Sequence, residues 1–142
     1  MLHLLLATDG SSGADRAIDF AARLAKEMGG KLSILTVGGN LSGVDKRELA
    51  RAESGIGDAL EAVSEQILER ARRRAHEAGA PDIGVHAGWG DPAEVIIEVA
   101  RRDQVDAIVM GRRGRGRLTG MLLGSVSQKI ASLAPCVVIL VP

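Results

Sequence analysis

Residues 105–127 read VDAIVMGRRGRGRLTGMLLGSVS and pass from a strand pattern, through a glycine-rich segment, to a helix start. The first six residues are apolar except Asp106, and three of them are β-branched. Such a run favours a strand that is covered on both faces. A strand followed by a glycine-rich connection and a helix is typical of α/β proteins with a parallel sheet.

Similar apolar runs occur elsewhere in the sequence, before and after this stretch. The five predicted strands are Leu2–Ala7, Lys31–Val37, Asp82–Ala87, Val105–Met110 and Cys136–Val141. Helical periodicity lies between them, over Ala14–Met28, over Asp58–Glu77, in a helix that begins at Asp91, and over Ser125–Leu133. Because strands and helices alternate along the chain, we predict an α/β fold with an open doubly wound parallel sheet and helices on both faces.

Local signals mark several helix ends. Asp91 is a typical N-cap, with Pro92 at the first helical position, and Gly29 follows the first helix, where positive φ is common. In the second helix the pattern predicts an inward stripe that includes Val63. The glycine-containing and charged segment at residues 38–57 is interpreted as a mobile connection with one short helical turn.

Composition restricts the class of protein. The 142 residues, of which 46% are hydrophobic and 25% charged, fit one domain over residues 1–142. No apolar run approaches the roughly 20 residues of a membrane span. Net charge is zero, and one Phe and one Trp offer few stacking platforms, so we expect no binding to nucleic acid or membrane. Since Cys136 is the only cysteine, an internal disulfide is excluded and a cytoplasmic location is the default expectation.

The spacing Gly111-x2-Gly114-x9-Gly124-Ser125 predicts a phosphate site. In open α/β sheets, ligands bind beyond the carboxyl ends of the strands, where the strand order reverses. Glycine allows close approach of the backbone to phosphate, and the N–H groups of residues 125–127 at a helix start favour an anion. The alternative is structural: each glycine forms a plain turn, and Ser125 only caps the helix.

These motifs resemble the universal stress protein family over nearly the whole chain. The resemblance includes LLLATDGS at residues 4–11, GDPAEVI at 90–96 and VDAIVMG at 105–111, and the glycine spacing matches the family's ATP-binding branch. It implies a five-stranded sheet of order 3-2-1-4-5, ATP as ligand either alone or with Mg²⁺, and usually a homodimer.

The resemblance also implies roles for individual residues. The adenosine would lie along Ala7, Thr8 and Asp9, with its base against Val37, and the ribose and phosphates would follow Met110, Gly111, Arg112, Gly114, Gly124, Ser125, Val126 and Ser127. Arg112 departs from the family, which often has a small hydroxyl residue there, and the arginine either grips or crowds the phosphates. For Asp9 the alternative is a cap of the following helix.

Three functions are compatible with these patterns: a nucleotide-dependent switch in a stress response, a slow ATPase, and a dimeric scaffold that binds an unidentified protein partner without nucleotide. No catalytic residue is predicted, because the chain has no Walker motif and no Gly-x-Ser-x-Gly elbow. His3, His76 and His86 lack metal-ligand spacing, so no metal site in the protein is predicted.

The final strand predicts a surface for self-association. Cys136–Val141 carries no charge, lysine or proline, although exposed edge strands usually carry such protection. We therefore expect a homodimer in which two copies pair through this strand about a two-fold axis. Trp89, between Gly88 and Gly90, is interpreted as a loop residue that either covers the edge of the core or marks an interaction surface.

Overall fold

The computed structural model describes residues 1–38, 55–112 and 124–142. These residues form the strands β1 (His3–Ala7), β2 (Lys31–Gly38), β3 (Asp82–Trp89), β4 (Ala107–Gly111) and β5 (Val137–Val141), and the helices α1 (Ser12–Met28), α2 (Gly55–Glu77), α3 (Pro92–Arg102) and α4 (Ser125–Leu133). Every predicted strand and helix is confirmed. Among these residues, no helix combines the length and apolarity that a membrane crossing requires.

The five strands form one parallel sheet of order β3-β2-β1-β4-β5, which confirms the predicted topology. From β1 the chain moves outward through β2 to β3, and it then crosses back to place β4 on the other side of β1. The direction of winding therefore reverses between β1 and β4, and the carboxyl ends of these two strands diverge into separate connections.

Side-chain alternation along the strands divides the core into two layers. Leu4 and Leu6 of β1 pack with α1 and α2, whereas Leu5 and Ala7 point to the opposite face and pack with α3 and α4. All three leucines are almost completely buried. Burial of each leucine contributes about 1.5–3 kcal/mol. Cys136 packs, half-buried, against the second layer, and burial raises the pKa of its thiol.

The start of α3 and the end of α1 are formed as predicted. The carboxylate of Asp91 accepts a hydrogen bond of 3.0 Å from the N–H of Glu94, and Pro92 occupies the first turn. Ser11 caps α1 by accepting from the N–H of Ala14. Gly29 ends α1 with a φ of 62°, the left-handed conformation that glycine adopts without strain.

Two interpretations of the α2 region are corrected in part, at Val63 and at the bounds of the segment 38–57. The buried side of α2 carries Ser64, Leu68, Ala71 and Ala75, and Val63 lies beside this stripe with 47% of its surface exposed. The segment at 38–57 is also shorter than predicted, since Gly38 ends β2 and α2 already begins at Gly55. Residues 39–54, the rest of the predicted connection, lie outside the described residues.

Ion pairs join α1 to α2 on the outer surface of the first layer. Arg74 donates two hydrogen bonds, of 2.8 and 2.9 Å, to the carboxylate of Asp19. These bonds lower the pKa of Asp19, and partial desolvation opposes them. Arg70 pairs with Asp15, near the start of α1. Both pairs are partly exposed, so each contributes modestly to stability.

Trp89 is the last residue of β3 rather than a loop residue. It is half-buried, and its ring lies 3.7 Å from the position that a Cβ on Gly38 would occupy. Because Gly38 and Trp89 are register partners at the ends of β2 and β3, the indole covers the edge of the core at this corner of the sheet.

Candidate functional site

A cleft of about 430 Å³ opens at the carboxyl edge of the sheet, at the switch point between β1 and β4. Three helix starts surround it, because α1, α3 and α4 each begin at this edge after their preceding strand or connection. Its lining residues are Ala7, Thr8, Asp9, Ser11, Ala14, Leu35, Val37, Pro92, Ile96, Met110, Gly111, Gly124, Ser125, Val126 and Ser127.

The cleft brings together every predicted site residue except Arg112 and Gly114. Arg112 is described but does not line the cleft, and Gly114 lies outside the described residues. Residues separated by more than a hundred positions, such as Ala7 and Val126, are thus close because parallel strands place their carboxyl ends at one edge.

The end of β1 forms one side of the cleft and is held by backbone contacts. The N–H of Thr8 donates to the carbonyl of Leu35 at 3.0 Å, and the hydroxyl of Thr36 donates to the carbonyl of Thr8 at 2.8 Å. Asp9 accepts a hydrogen bond of 2.9 Å from the N–H of Ser11. The carboxylate of Asp9 therefore stabilises the turn before α1, whose N-cap is Ser11, and it also borders the cleft.

An apolar wall forms another side of the cleft. Leu35 and Val37 from β2 lie on it together with Pro92 and Ile96 from α3. The sequence interpretation included Val37 but missed Leu35, Pro92 and Ile96, as well as Ser11 and Ala14 of the α1 start. The topology could have indicated these residues. Every helix in a parallel α/β sheet begins at the ligand-binding edge, so the first turns of α1 and α3 border the cleft.

The start of α4 presents polar groups to the cleft. Gly124 is the N-cap in an extended conformation, with φ −75° and ψ 168°, and within the part of the chain that the structure describes no side chain caps this helix end. The first helical hydrogen bond runs from the N–H of Gln128 to the carbonyl of Gly124. The N–H groups of Ser125, Val126 and Ser127 therefore have no partner within the helix, and the helix dipole makes this end positive.

The hydroxyl of Ser127 bonds to the main chain. The residue is 2% exposed, and its hydroxyl donates to the carbonyl of Arg112 at 2.6 Å, with the carbonyl of Gly124 at 3.1 Å. A hydroxyl has one hydrogen, and here main-chain oxygens accept it. Only Ser125 of the two serines has an exposed side chain at this helix start.

Arg112 joins β4 to its neighbours through the main chain. Its N–H donates to the carbonyl of Val141 at 2.8 Å, and its carbonyl accepts from the N–H of Gly124 at 3.1 Å. The Nε of Arg112 is buried and has no hydrogen-bond partner among residues 1–38, 55–112 and 124–142. The residue thus shapes the floor beside the cleft through its backbone, whereas its side chain lies off the lining.

Packing against α1 also favours a glycine at position 111, where the approach of phosphate stays a prediction. A Cβ at this position would lie 3.2 Å from both the carbonyl carbon and the carbonyl oxygen of Gly13 and 3.5 Å from the nitrogen of Ala14. The first turn of α1 therefore packs directly on the end of β4. The absence of a side chain at Gly111 lets α1 and β4 approach each other at the base of the cleft.

The histidines lie away from the cleft. The Nε2 of His3 is 2.8 Å from the hydroxyl of Ser33. Within residues 1–38, 55–112 and 124–142, no group of three histidine, cysteine or acidic side chains is arranged to hold a metal ion. The chemistry available at the cleft is consequently that of backbone donors, hydroxyls, one carboxylate and an apolar wall.

An open doubly wound sheet with a cleft at its switch point defines the class of protein as an α/β ligand-binding fold. The model of the universal stress protein family matches residues 1–142, and the chain belongs to that family.

Known relatives agree with this assignment over their full lengths. The chain is 36% identical to the universal stress protein YxiE of Bacillus subtilis, and the match covers 97% of each chain. Its fold is similar to that of the universal stress protein UspA from Lactobacillus plantarum, with a TM-score of 0.88, 24% identity and coverage of 99% and 97%. A solved universal stress protein in complex with cAMP has a TM-score of 0.76 to this chain, with 29% identity and coverage of 99% and 95%.

Proposed function

We propose that the chain is an ATP-binding regulatory protein of the stress response, with the cleft between β1 and β4 as its nucleotide site. The observation that carries this proposal is the combination, in one cleft, of an apolar wall and an uncapped helix N-terminus. An adenine nucleotide has one part for each of these features, since the faces of its base are flat and largely apolar and its phosphates are anionic.

The lining residues suggest an orientation for such a ligand in the cleft. The base would lie against Val37 and Ile96, the ribose near Asp9 and Met110, and the phosphates at Gly124 and the N–H groups of residues 125–127. The similarity to a universal stress protein that was solved with cAMP supports an adenine nucleotide as the class of ligand. Mg²⁺ would accompany the phosphates, with Asp9 as the nearby carboxylate.

Binding and switching are favoured over fast catalysis. Phosphoryl transfer needs an acid that holds metal and a group that orients the attacking water. Asp9 is the only acidic side chain among the described lining residues, and it already accepts a hydrogen bond from Ser11. We therefore infer that ATP hydrolysis is slow. We also infer that a protein partner distinguishes the nucleotide-bound from the nucleotide-free cleft, and that the protein acts in the cytoplasm.

A homodimer through β5 is the second part of the proposal. In the described sheet β5 pairs only with β4, so its other edge offers free backbone groups. Apolar surface continues around this edge, with Val137 62% and Leu133 57% exposed. Two copies that pair there would cover the unprotected edge. The dimeric scaffold without nucleotide remains the alternative, and it predicts the same dimer with an unused cleft.

The test of nucleotide binding is identification of the ligand that accompanies the purified protein. Heat release followed by chromatography is expected to give an adenine nucleotide from the wild type. The Gly124→Val variant, in which a side chain blocks the approach of phosphate to the start of α4, should release none. The extended conformation at Gly124 accepts valine, so the variant should remain folded. A wild type that neither carries nucleotide nor binds added ATP would contradict the proposal.

A further inference from the structure

The carbonyl of Arg112 accepts two hydrogen bonds, one from the N–H of Gly124 at 3.1 Å and one from the hydroxyl of Ser127 at 2.6 Å. Arg112 follows β4, and Gly124 immediately precedes α4. These contacts therefore tie the end of β4 to the beginning of α4, across a gap of eleven residues in sequence. The three groups are called the clasp below.

We propose that Ser127 is a positioning residue that holds the phosphate-binding end of α4 through the clasp and does not contact phosphate with its hydroxyl. This inference rests on the proposed function, because it assigns the means by which the same cleft is kept ready for a nucleotide. It separates the two serines of the motif: Ser125 presents its side chain to the cleft, and Ser127 turns its hydroxyl into the protein.

Burial and donor chemistry support this assignment. Ser127 is almost completely buried, and its single hydroxyl hydrogen is directed to main-chain oxygens. The third position of a helix often carries a serine that bonds back to the preceding turn, and this accounts for the contact with Gly124. The shorter contact with Arg112 reaches another element, so it fixes where α4 begins relative to β4.

The position of this helix start decides the direction of its free N–H groups. Because a hydrogen bond weakens steeply when its distance and angle depart from the ideal, a displaced helix start would hold an anion less well. Loss of the clasp should thus weaken binding of the phosphates and leave binding of the nucleoside unaffected. The apolar wall that would hold the base belongs to β2 and α3, and none of the three clasp residues lies on either element.

The experiment compares Ser127→Ala, Ser127→Thr and Ser125→Ala with the wild type in two measurements. The first is the exchange rate of the Gly124 amide hydrogen in nucleotide-free protein, and the second is the affinity for ATP and for adenosine by calorimetry. For Ser127→Ala we expect exchange about tenfold faster, ATP affinity about tenfold lower and adenosine affinity within about twofold of the wild type, the size of effect that one hydrogen bond gives.

Ser127→Thr keeps the hydroxyl and should restore both measurements. Ser125→Ala should lower the ATP affinity without a change in the exchange of Gly124, because Ser125 is not part of the clasp. Unchanged exchange in Ser127→Ala would overturn the inference, whether or not ATP affinity falls. If the wild type binds neither ligand, the proposed function fails, while the exchange rates still support or overturn the clasp.

Discussion

Replacement of Gly111 with alanine tests how closely α1 packs on the end of β4. The new Cβ would lie 3.2 Å from the carbonyl carbon and oxygen of Gly13 and 3.5 Å from the nitrogen of Ala14. These neighbours are backbone atoms in the first turn of a helix, so they cannot rotate away as a flexible side chain would. The start of α1 or the end of β4 must move by a few tenths of an ångström.

The expected magnitude follows from two opposing effects. Overpacking of this kind costs about 1–3 kcal/mol. Alanine in place of glycine restricts the unfolded chain and returns about 0.4–1 kcal/mol. We therefore expect Gly111→Ala to lower the free energy of unfolding by about 1–2 kcal/mol. ATP affinity should fall as well, because Ser11 and Ala14 of the displaced helix start line the cleft.

Urea unfolding monitored by circular dichroism gives the free energy, and Gly84→Ala is the matched control. Gly84 also lies in a strand, but a Cβ there would meet only the Nε2 of His86, at the ordinary distance of 3.7 Å. The control should be as stable as the wild type or more stable, by up to about 1 kcal/mol. Equal stability of Gly111→Ala and Gly84→Ala would refute the packing argument.

Four further results are predicted. Gly124→Val should abolish ATP binding in calorimetry while its unfolding transition stays cooperative, and wild-type affinity in the folded variant would contradict the phosphate site. Steady-state hydrolysis of ATP with Mg²⁺ should be slower than about 1 s⁻¹, the low end of typical enzymes, and faster saturable turnover would favour the ATPase. Light scattering should show the proposed dimer for the wild type and a monomer for Val137→Lys, since Val137 is exposed at the β5 edge; a dimer that survives the change would place the contact elsewhere, and a wild-type monomer would contradict the dimer. Arg74→Gln should cost about 0.5–1 kcal/mol at pH 7. The pKa of Asp19 is lowered in the folded protein, so this stabilisation is present above the ordinary pKa of 3.8 and is lost as the pH falls through the lowered pKa. The free energies of unfolding of the variant and the wild type should therefore converge in acid. A constant difference between them down to pH 2 would contradict the ion pair.

Elements with strong local signals were predictable from the sequence. Asp91 and Pro92 mark the start of α3, and the apolar run after Val105 marks β4, because capping chemistry and continuous burial act over a few neighbouring residues. The order of the sheet followed from the resemblance to a family. Periodicity alone failed for Val63, since a helix that buries a narrow stripe leaves adjacent apolar residues on its flank.

The candidate site was predictable in its residues but less so in their roles. Glycine at 111 and serine at 127 both fitted a phosphate-binding motif, yet Gly111 gives room to the backbone of α1 and the hydroxyl of Ser127 bonds to Arg112. Both roles depend on contacts with a distant element, which spacing along one segment does not reveal. The apolar wall from α3 was missed for the same reason, because Ile96 reads as an ordinary core position.

The most direct test of the account is a titration of the wild-type protein with ATP, followed by the amide resonances in two-dimensional NMR. Binding of ATP in the cleft should give saturable shifts concentrated at Val37, Gly111 and residues 125–127, which line the cleft from three different elements. Saturation without shifts at residues 125–127, or the absence of any shift at millimolar ATP, would contradict nucleotide binding at this site.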